Sequence, residues 1–129
     1  MVLVLNKQKA PHLSKGEQAE KQALDHLITQ GLSLVCRNYR CKSGEIDLIM
    51  KHENRLVFIE VRYRKSNKYG SAVESITPIK QSRIIKTAYH YLISNNADCL
   101  IRFDVVTIAP DNLGKPRLNW IENAFQADF

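Results

Sequence analysis

The chain has 129 residues, of which 44% are hydrophobic and 25% charged, which is typical of one soluble globular domain with its own core. No apolar run approaches the ~20 residues that a membrane-spanning helix needs, and the short apolar start lacks a signal-peptide cleavage site, so we expect a cytoplasmic protein with no membrane partner. The formal net charge of +6 fits a polyanion partner such as nucleic acid, although charge alone does not establish one.

The first predicted element is a helix that follows a loose lead-in. Ser14 and Glu17 have the spacing of a capping box, which satisfies backbone amides at a helix start. Gly31 can adopt the left-handed conformation that ends such a helix. Glu20 stands four residues before Leu24, so it is expected on the inward face of the helix.

Two β-rich runs separated by polar residues, 45–50 and 55–62, form the centre of the predicted fold, after a first strand over 32–39. The later segments are a polar basic loop over 63–75, a helix that starts at Thr77-Pro78, a strand over 102–108, a turn over 111–116, and a short terminal helix or packing segment over 120–125. The order α-β-β-β-α-β predicts a mixed α/β domain whose central hairpin is covered on both sides. Residues 13–129 are expected to form this one domain, after a lead-in of residues 1–12.

The register of the central hairpin decides which side chains meet. With a two-residue turn at 53–54, Asp47 faces Glu60, Glu45 faces Arg62, and all four side chains lie on one face of the strand pair. The opposite face is then apolar throughout and contains Ile46, Leu48, Met50, Val57, Ile59 and Val61. Ile49 and Phe58 extend the charged face with apolar side chains, which indicates that this face is also partly covered. A slip of one residue would destroy the pattern.

The spacing leaves two interpretations of the charged face open. Two carboxylates that face each other across a half-buried sheet repel and lose hydration, which is costly unless a cation lies between them. Oxygen ligands from Asp47 and Glu60 suit Mg²⁺ or Mn²⁺ rather than zinc, and Glu20 could add a third carboxylate. The alternative is a solvated face with ordinary salt bridges, such as those from Arg62 to Glu45 or Glu60.

Several motifs resemble those of the YraN family of uncharacterised bacterial proteins. They are Gly16-x-x-x-Glu20, the run GEIDLI over 44–49 and the run FIEVRYR over 58–64. The resemblance extends through residues 69–70, 102–106 and 120–121, and so covers nearly the whole chain. That family is similar to restriction-endonuclease-like nucleases of the PD-(D/E)xK type, notably archaeal Holliday-junction resolvases. The resemblance implies a mixed sheet with an αβββαβ core and a nuclease site.

The resemblance also implies roles for individual residues. The nuclease set of a helix Glu, a strand Asp and a Glu-x-Lys falls on Glu20, Asp47, Glu60 and Arg62, with the three acids as metal ligands. Arg62 departs from the motif, because arginine keeps its proton near neutral pH and cannot act as a general base. Its forked donors can still hold a phosphate. Lys80 on the next helix is a second source of an ammonium group, although a solvated helix residue is the favoured interpretation.

Basic residues flank the two carboxylate strands, as a metal nuclease requires for gripping phosphates. The residues expected to contact nucleic acid are Arg37, Arg40, Lys42, Arg64, Lys65, Lys68 and Lys80. The alternative is a solvated basic loop. Glu45 and Gln81 are expected to support the site, and for Gln81 a role in packing alone is equally open. No base-reading motif is visible, so any recognition is expected to follow backbone or shape.

These patterns lead to one main functional hypothesis and two rivals. The main hypothesis is a Mg²⁺-dependent, endonuclease-like domain that acts on DNA rather than RNA, with branched or damaged DNA as substrate by analogy. The first rival is a catalytically inactive module that binds DNA or RNA within an assembly. The second is a structural interaction protein without a nucleic-acid role. A homodimer is a further expectation, because related nucleases often cut two strands as two-fold dimers.

Overall fold

The computed structural model describes residues 12–65 and 76–127. They form the elements α1 (Lys15–Thr29), β1 (Ser33–Cys41), β2 (Gly44–His52), β3 (Arg55–Tyr63), α2 (Pro78–Ser94), β4 (Leu100–Pro110) and β5 (Pro116–Phe125). Neither α1 nor α2 is long and apolar enough to pass through a bilayer. The lead-in predicted over residues 1–12 lies almost wholly outside the described residues, as does most of the predicted loop over 63–75.

The strands form one sheet in the order β1-β2-β3-β4-β5. β3 and β4 run parallel, whereas the other neighbours are antiparallel. A parallel pair needs a crossover connection, and here that connection contains α2. α1 packs on one face of the sheet and α2 on the other. The prediction of a mixed α/β domain with a doubly covered hairpin is therefore confirmed, and the architecture is compatible with a restriction-endonuclease-like fold.

Both helices begin at the predicted capping residues. The Glu17 amide donates to Ser14 Oγ at 3.1 Å, and the Ser14 amide donates to Glu17 Oε1 at 3.0 Å. In α2, the Lys80 amide donates to Thr77 Oγ1 at 3.2 Å. Gly31 follows α1 with a φ of 98°, which glycine adopts without steric cost. These caps fix the start of each helix and so fix which side chains face the sheet.

The sheet separates two apolar clusters. The cluster under α1 consists of Ala19, Ala23, Leu24, Leu27, Leu32, Leu48, Met50, Val57, Ile59, Val106 and Ile108. The cluster under α2 consists of Ile46, Ile49, Ile76, Ile84, Ile85, Ala88, Phe58, Phe103 and Val105. Because Ile49 and Phe58 are fully buried beneath α2, the charged end of the hairpin adjoins a core, and the expectation that this face is partly covered is confirmed. The salt bridge between Arg62 and Glu60, which belonged to the alternative interpretation, is also present.

The predicted register of the hairpin is confirmed over its paired length. His52 pairs with Arg55 and Leu48 pairs with Ile59. The turn between them places Glu53 at a φ of 58°. This register carries Asp47 and Glu60 to adjacent positions just beyond the last pair.

One part of the predicted apolar face is wrong. Ile46 was expected beside Leu48, but Ile46 packs under α2 whereas Leu48 packs under α1. Two residues that are two apart in a regular strand share a face, so the alternation is broken at Asp47. Opposite this position in β1, between the pairs Arg37–Leu48 and Tyr39–Ile46, Asn38 has a left-handed backbone with a φ of 52°.

The terminal segment also differs from the prediction of a short helix. Residues 120–125 belong to β5, which pairs antiparallel with β4. The segment has no helix cap, and β4 presents an open edge whose backbone groups need partners. Trp120 Nε1 and the Asn123 amide both donate to the Asp104 carboxylate at 2.9 Å, which fixes the strand in place.

Candidate functional site

The end of the hairpin and the start of α2 enclose a cavity of about 200 Å³. We call it the carboxylate cavity; its lining residues are Gly44, Glu45, Asp47, Glu60, Lys80, Arg83 and Ile84. α2 lies close to the β1–β2 turn here, since a Cβ on Gly44 would stand 3.3 Å from Thr87 Oγ1. The structure thus brings Asp47, Glu60 and Lys80 together from three separate elements.

The strands separate where the two carboxylates lie. The last paired residues of β2 and β3 are Leu48 and Ile59. Beyond them the Val61 amide donates to Asp47 Oδ2 at 2.8 Å, so a side chain replaces the backbone partner that a continuous ladder would supply. Asp47 is consequently held by β3 at a fixed point, next to Glu60. A strand pair that opens in this way leaves room for side chains between the strands.

The surroundings of Asp47 disfavour its negative charge. Burial and the charge of Glu60 raise the pKa of Asp47 to about 8, with a hydrogen bond to Glu60 and the charge of Glu20 acting in the same direction. The hydrogen bond from Val61 opposes this shift. In the cation-free protein these surroundings favour the protonated form of Asp47, because two adjacent carboxylates removed from water resist carrying two charges.

Two cations approach Glu60, whose side chain is only 6% exposed. Lys80 Nζ lies 2.8 Å from Glu60 Oε2, and Arg62 Nη1 lies 3.7 Å from the same oxygen. Lys80 was interpreted as a solvated helix residue, and that interpretation is wrong. The first turn of α2 directs its ammonium group into the cavity, at a contact distance shorter than that of Arg62.

Glu20 lies close to the pair but is bonded elsewhere. Its Oε1 accepts from Arg37 Nη2 and from Asn38 Nδ2, each at 3.1 Å. Its charge nevertheless contributes to the raised pKa of Asp47. The prediction of an inward Glu20 is confirmed, whereas its role as a metal ligand stays a prediction.

Several predicted supporting residues make contacts of their own. Glu45 was expected opposite Arg62, but its carboxylate accepts from Arg40 across β1 and β2. The pairing of Glu45 with Arg62 is therefore wrong, because the β2–β3 ladder ends before reaching them. Gln81 Nε2 donates to the Ile76 carbonyl at 3.1 Å, which supports the packing role rather than direct participation in the site.

The predicted phosphate-contacting residues divide into two groups. Arg37 and Arg40 are bound in ion pairs with Glu20 and Glu45. Lys42 and Lys65 are exposed, and the backbone amide of Arg64 donates to the Ile108 carbonyl at 2.8 Å. Lys68 lies outside the described residues. Only part of the predicted basic surface is thus available without breaking an acidic contact.

The donor set can be compared with what a divalent cation requires. Within residues 12–65 and 76–127, no three Asp, Glu, His or Cys side chains are grouped closely enough to form a complete metal site. Asp47 and Glu60 supply two carboxylates, and Mg²⁺ commonly binds through one or two carboxylates while water and phosphate complete its octahedron. The residues present therefore fit Mg²⁺ or Mn²⁺ as a site that a phosphate group would complete.

Two features of the structure, one in the cavity and one between β4 and β5, were missed from the sequence. Arg83 lines the carboxylate cavity one helical turn after Lys80, and the spacing of three residues was the available signal. Asp104 is fully buried and binds Arg102 through two hydrogen bonds, of 2.8 and 2.9 Å. The alternation of Arg102 and Asp104 in one strand hinted at this pair, which joins β4 to β5.

Comparison with known proteins identifies one family, through both a family model and individual relatives. The model of the uncharacterised protein family UPF0102 matches residues 19–108, a range that contains all the cavity-lining residues. A UPF0102 protein of Nitrosococcus oceani is 48% identical over 123 residues, covering 92% of this chain and 97% of its own. A UPF0102 protein of Saccharophagus degradans is 49% identical over 118 residues, covering 90% and 96%. One of Cupriavidus taiwanensis is 50% identical over 116 residues, covering 89% and 85%.

Proposed function

This chain belongs to the UPF0102 family, and we propose that it is a nucleic-acid-binding protein that cleaves phosphodiester bonds with a divalent cation held by Asp47 and Glu60. The observation that carries this proposal is the pair of mutually repelling carboxylates, half-buried Asp47 and buried Glu60, in a cavity that Lys80 and Arg83 also line. Such a pair is costly to keep in a fold. A bound Mg²⁺ ion would offset this cost, because its positive charge compensates the two carboxylates.

The residues of the cavity divide the chemistry among them. Asp47 and Glu60 bind the cation through their oxygens, and the Val61 amide orients Asp47. When bound, Mg²⁺ lowers the pKa of a water molecule and stabilises charge on the phosphate. Arg83, which lines the cavity, and Arg62, which lies 3.7 Å from Glu60, hold phosphate oxygens through their forked donors. Glu20 assists through water, because its direct contacts are made to Arg37 and Asn38.

The substrate class follows from what surrounds the cavity. The phosphate-binding groups are Arg and Lys side chains, which recognise the backbone of a nucleic acid without reading bases. DNA is favoured over RNA, and branched or damaged DNA over intact duplex, by the resemblance to junction-resolving nucleases. Fold likeness does not decide substrate, so this last step depends on experiment.

A second candidate function is favoured by Arg62. It stands where the nuclease motif has lysine, and arginine cannot accept a proton from water. A catalytically inactive module would keep the fold and the cationic cavity walls, and would bind DNA or RNA within an assembly. Its binding would be independent of divalent cations, and substitution of Asp47 would leave the affinity almost unchanged.

Cleavage of a labelled panel tests the proposal. The panel contains linear duplex, flap, four-way junction, single-stranded DNA and RNA, each with Mg²⁺ or Mn²⁺. We expect the wild type to cut at least one substrate in a metal-dependent way and Asp47→Ala to lose at least about a hundredfold in rate, since it removes a metal ligand. Asp25→Ala is the matched control, because Asp25 pairs with Lys21 on the exposed side of α1.

The outcomes separate the candidates. Cleavage by wild type and by Asp25→Ala, but not by Asp47→Ala, supports the metal-dependent nuclease. Tight binding without any cleavage, unaffected by Asp47→Ala, supports the inactive module. Binding that does not weaken as salt rises would exclude a nucleic-acid role of either kind.

A further inference from the structure

Lys80 makes the closest cationic contact in the carboxylate cavity. Its Nζ lies 2.8 Å from Glu60 Oε2, whereas Arg62 Nη1 stands at 3.7 Å from the same oxygen. A divalent cation bound to this carboxylate and an ammonium group this close to one of its oxygens would repel each other strongly. Lys80 and a divalent cation therefore compete for Glu60.

The side chain of Lys80 can change its position while the helix backbone stays in place. It is 42% exposed, although its terminus reaches Glu60, which is 6% exposed. Lysine carries a compact charge on a flexible four-carbon stem, so its terminus can shift by several ångströms without any movement of the helix. The backbone of Lys80 is meanwhile fixed, because its amide donates to the capping Thr77.

The neighbours of Lys80 indicate where its ammonium group would go. Arg83 lines the same cavity one turn further along α2, and Arg62 lies on the adjoining strand. A phosphate group that completes the coordination of a cation on Asp47 and Glu60 would stand among these side chains. If the ammonium group of Lys80 is released from Glu60, the flexible side chain can then reach this phosphate.

We propose that Lys80 is an exchangeable counter-ion, which neutralises Glu60 in the cation-free protein and transfers to a substrate phosphate when a divalent cation binds Glu60. This inference rests on the proposed function, since it takes Asp47 and Glu60 as the cation ligands. It makes cation binding and nucleic-acid binding mutually reinforcing, because the cation releases a phosphate-binding group. It also supplies an ammonium group to a site whose strand position 62 holds arginine.

The salt dependence of DNA binding tests the exchange. The probe is a fluorescently labelled four-way junction, titrated with protein over a series of salt concentrations, once with EDTA and once with Ca²⁺ to limit turnover. With EDTA, wild type and Lys80→Gln should show the same slope of log affinity against log salt, because Lys80 is bonded to Glu60. With Ca²⁺, the wild-type slope should be steeper than that of Lys80→Gln by about one ion, and its affinity roughly tenfold higher.

Two further variants keep the result interpretable. Lys86→Gln removes an exposed lysine of α2 that does not line the cavity, so any effect it has should be the same with EDTA and with Ca²⁺. Lys80→Arg keeps the charge and should restore most of the Ca²⁺-dependent increment. A purely structural role of Lys80 would not produce a cation-dependent slope.

Other results would reject the role of Lys80 alone, or that role together with the proposed nuclease function. A difference in slope between wild type and Lys80→Gln that is equal in EDTA and Ca²⁺, or absent in both, overturns the exchange. If the wild type cleaves in a way that needs Mg²⁺ and Asp47 while these slopes do not differ, only the role of Lys80 is rejected. If Ca²⁺ leaves wild-type binding unchanged and no cleavage occurs, the exchange and the proposed nuclease function both fall.

Discussion

Asp47 lies at the point where burial, a neighbouring negative charge and a fixed hydrogen bond act on one carboxyl group. Burial and Glu60 raise its pKa from 3.8 to about 8, against the opposing effect of the Val61 amide. Between these two pH values the folded protein binds a proton that the unfolded chain has released. The free energy of unfolding therefore falls as pH rises through this range.

Asp47→Asn should remove this pH dependence. The amide cannot ionise, and its carbonyl oxygen can still accept from the Val61 amide, so the fold keeps its local hydrogen bond. In urea unfolding with EDTA, the variant should gain stability relative to wild type on going from pH 5 to pH 8. Parallel stability profiles for the two proteins would show that Asp47 is ionised in the fold at neutral pH, contrary to this account.

At the residue scale, the sequence predicted the carboxylate pair and the salt bridge from Arg62 to Glu60, but not the shorter contact from Lys80. Asp47 and Glu60 could be paired because the two-residue turn fixes the register and the alternation of a strand follows from geometry. Lys80 could not be placed, because its contact with Glu60 depends on how the first turn of α2 lies over the hairpin. That arrangement is set by packing between residues distant in sequence.

At the scale of elements, β5 is held by one buried carboxylate. Asp104 is 0% exposed and binds Arg102, whose side chain is 10% exposed, together with Trp120 and the Asn123 amide. Buried ion pairs add little to stability when intact, but removal of one partner leaves the other uncompensated. The network thus determines how β5 lies against β4, but adds little to the free energy of unfolding when it is intact.

Asp104→Asn should destabilise the protein by about 3–5 kcal/mol, because it leaves Arg102 without its buried counter-ion. Asp25→Asn, which breaks only an exposed pair with Lys21, should change stability by at most about 1 kcal/mol. Urea unfolding at one pH measures both. Equal effects of the two substitutions would mean that Arg102 finds another partner in the variant.

The elements that the sequence predicted correctly carry strong local signals. Caps mark the start of both helices, and the hairpin strands are bounded by turn residues. β5 lacked such signals, since its conformation is imposed by the open edge of β4 and by Asp104. The break in the alternation of β2 at Asp47 was equally hidden, since it lies opposite Asn38, whose left-handed conformation belongs to the neighbouring strand.

At the scale of the whole molecule, the crossover from β3 to β4 explains why the site is where it is. A parallel pair of strands requires a long connection, and α2 within it lies across the end of the hairpin, with Lys80 and Arg83 beside the carboxylates. The count of 19 Lys and Arg residues overstates the surface free for phosphates, since Arg37 and Arg40 are held by acids. Attraction of nucleic acid is therefore expected to concentrate near α2.

Binding of Mn²⁺ to the protein tests most directly the central claim that Asp47 and Glu60 hold a divalent cation. Titration of wild type, Asp47→Asn, Glu60→Gln and the control Asp25→Asn, with free Mn²⁺ read by electron paramagnetic resonance, measures the affinity of each. We expect Asp25→Asn to match wild type and both site variants to bind at least about tenfold more weakly, with wild-type affinity rising toward pH 8 as Asp47 releases its proton. Equal affinities for all four proteins would contradict the account.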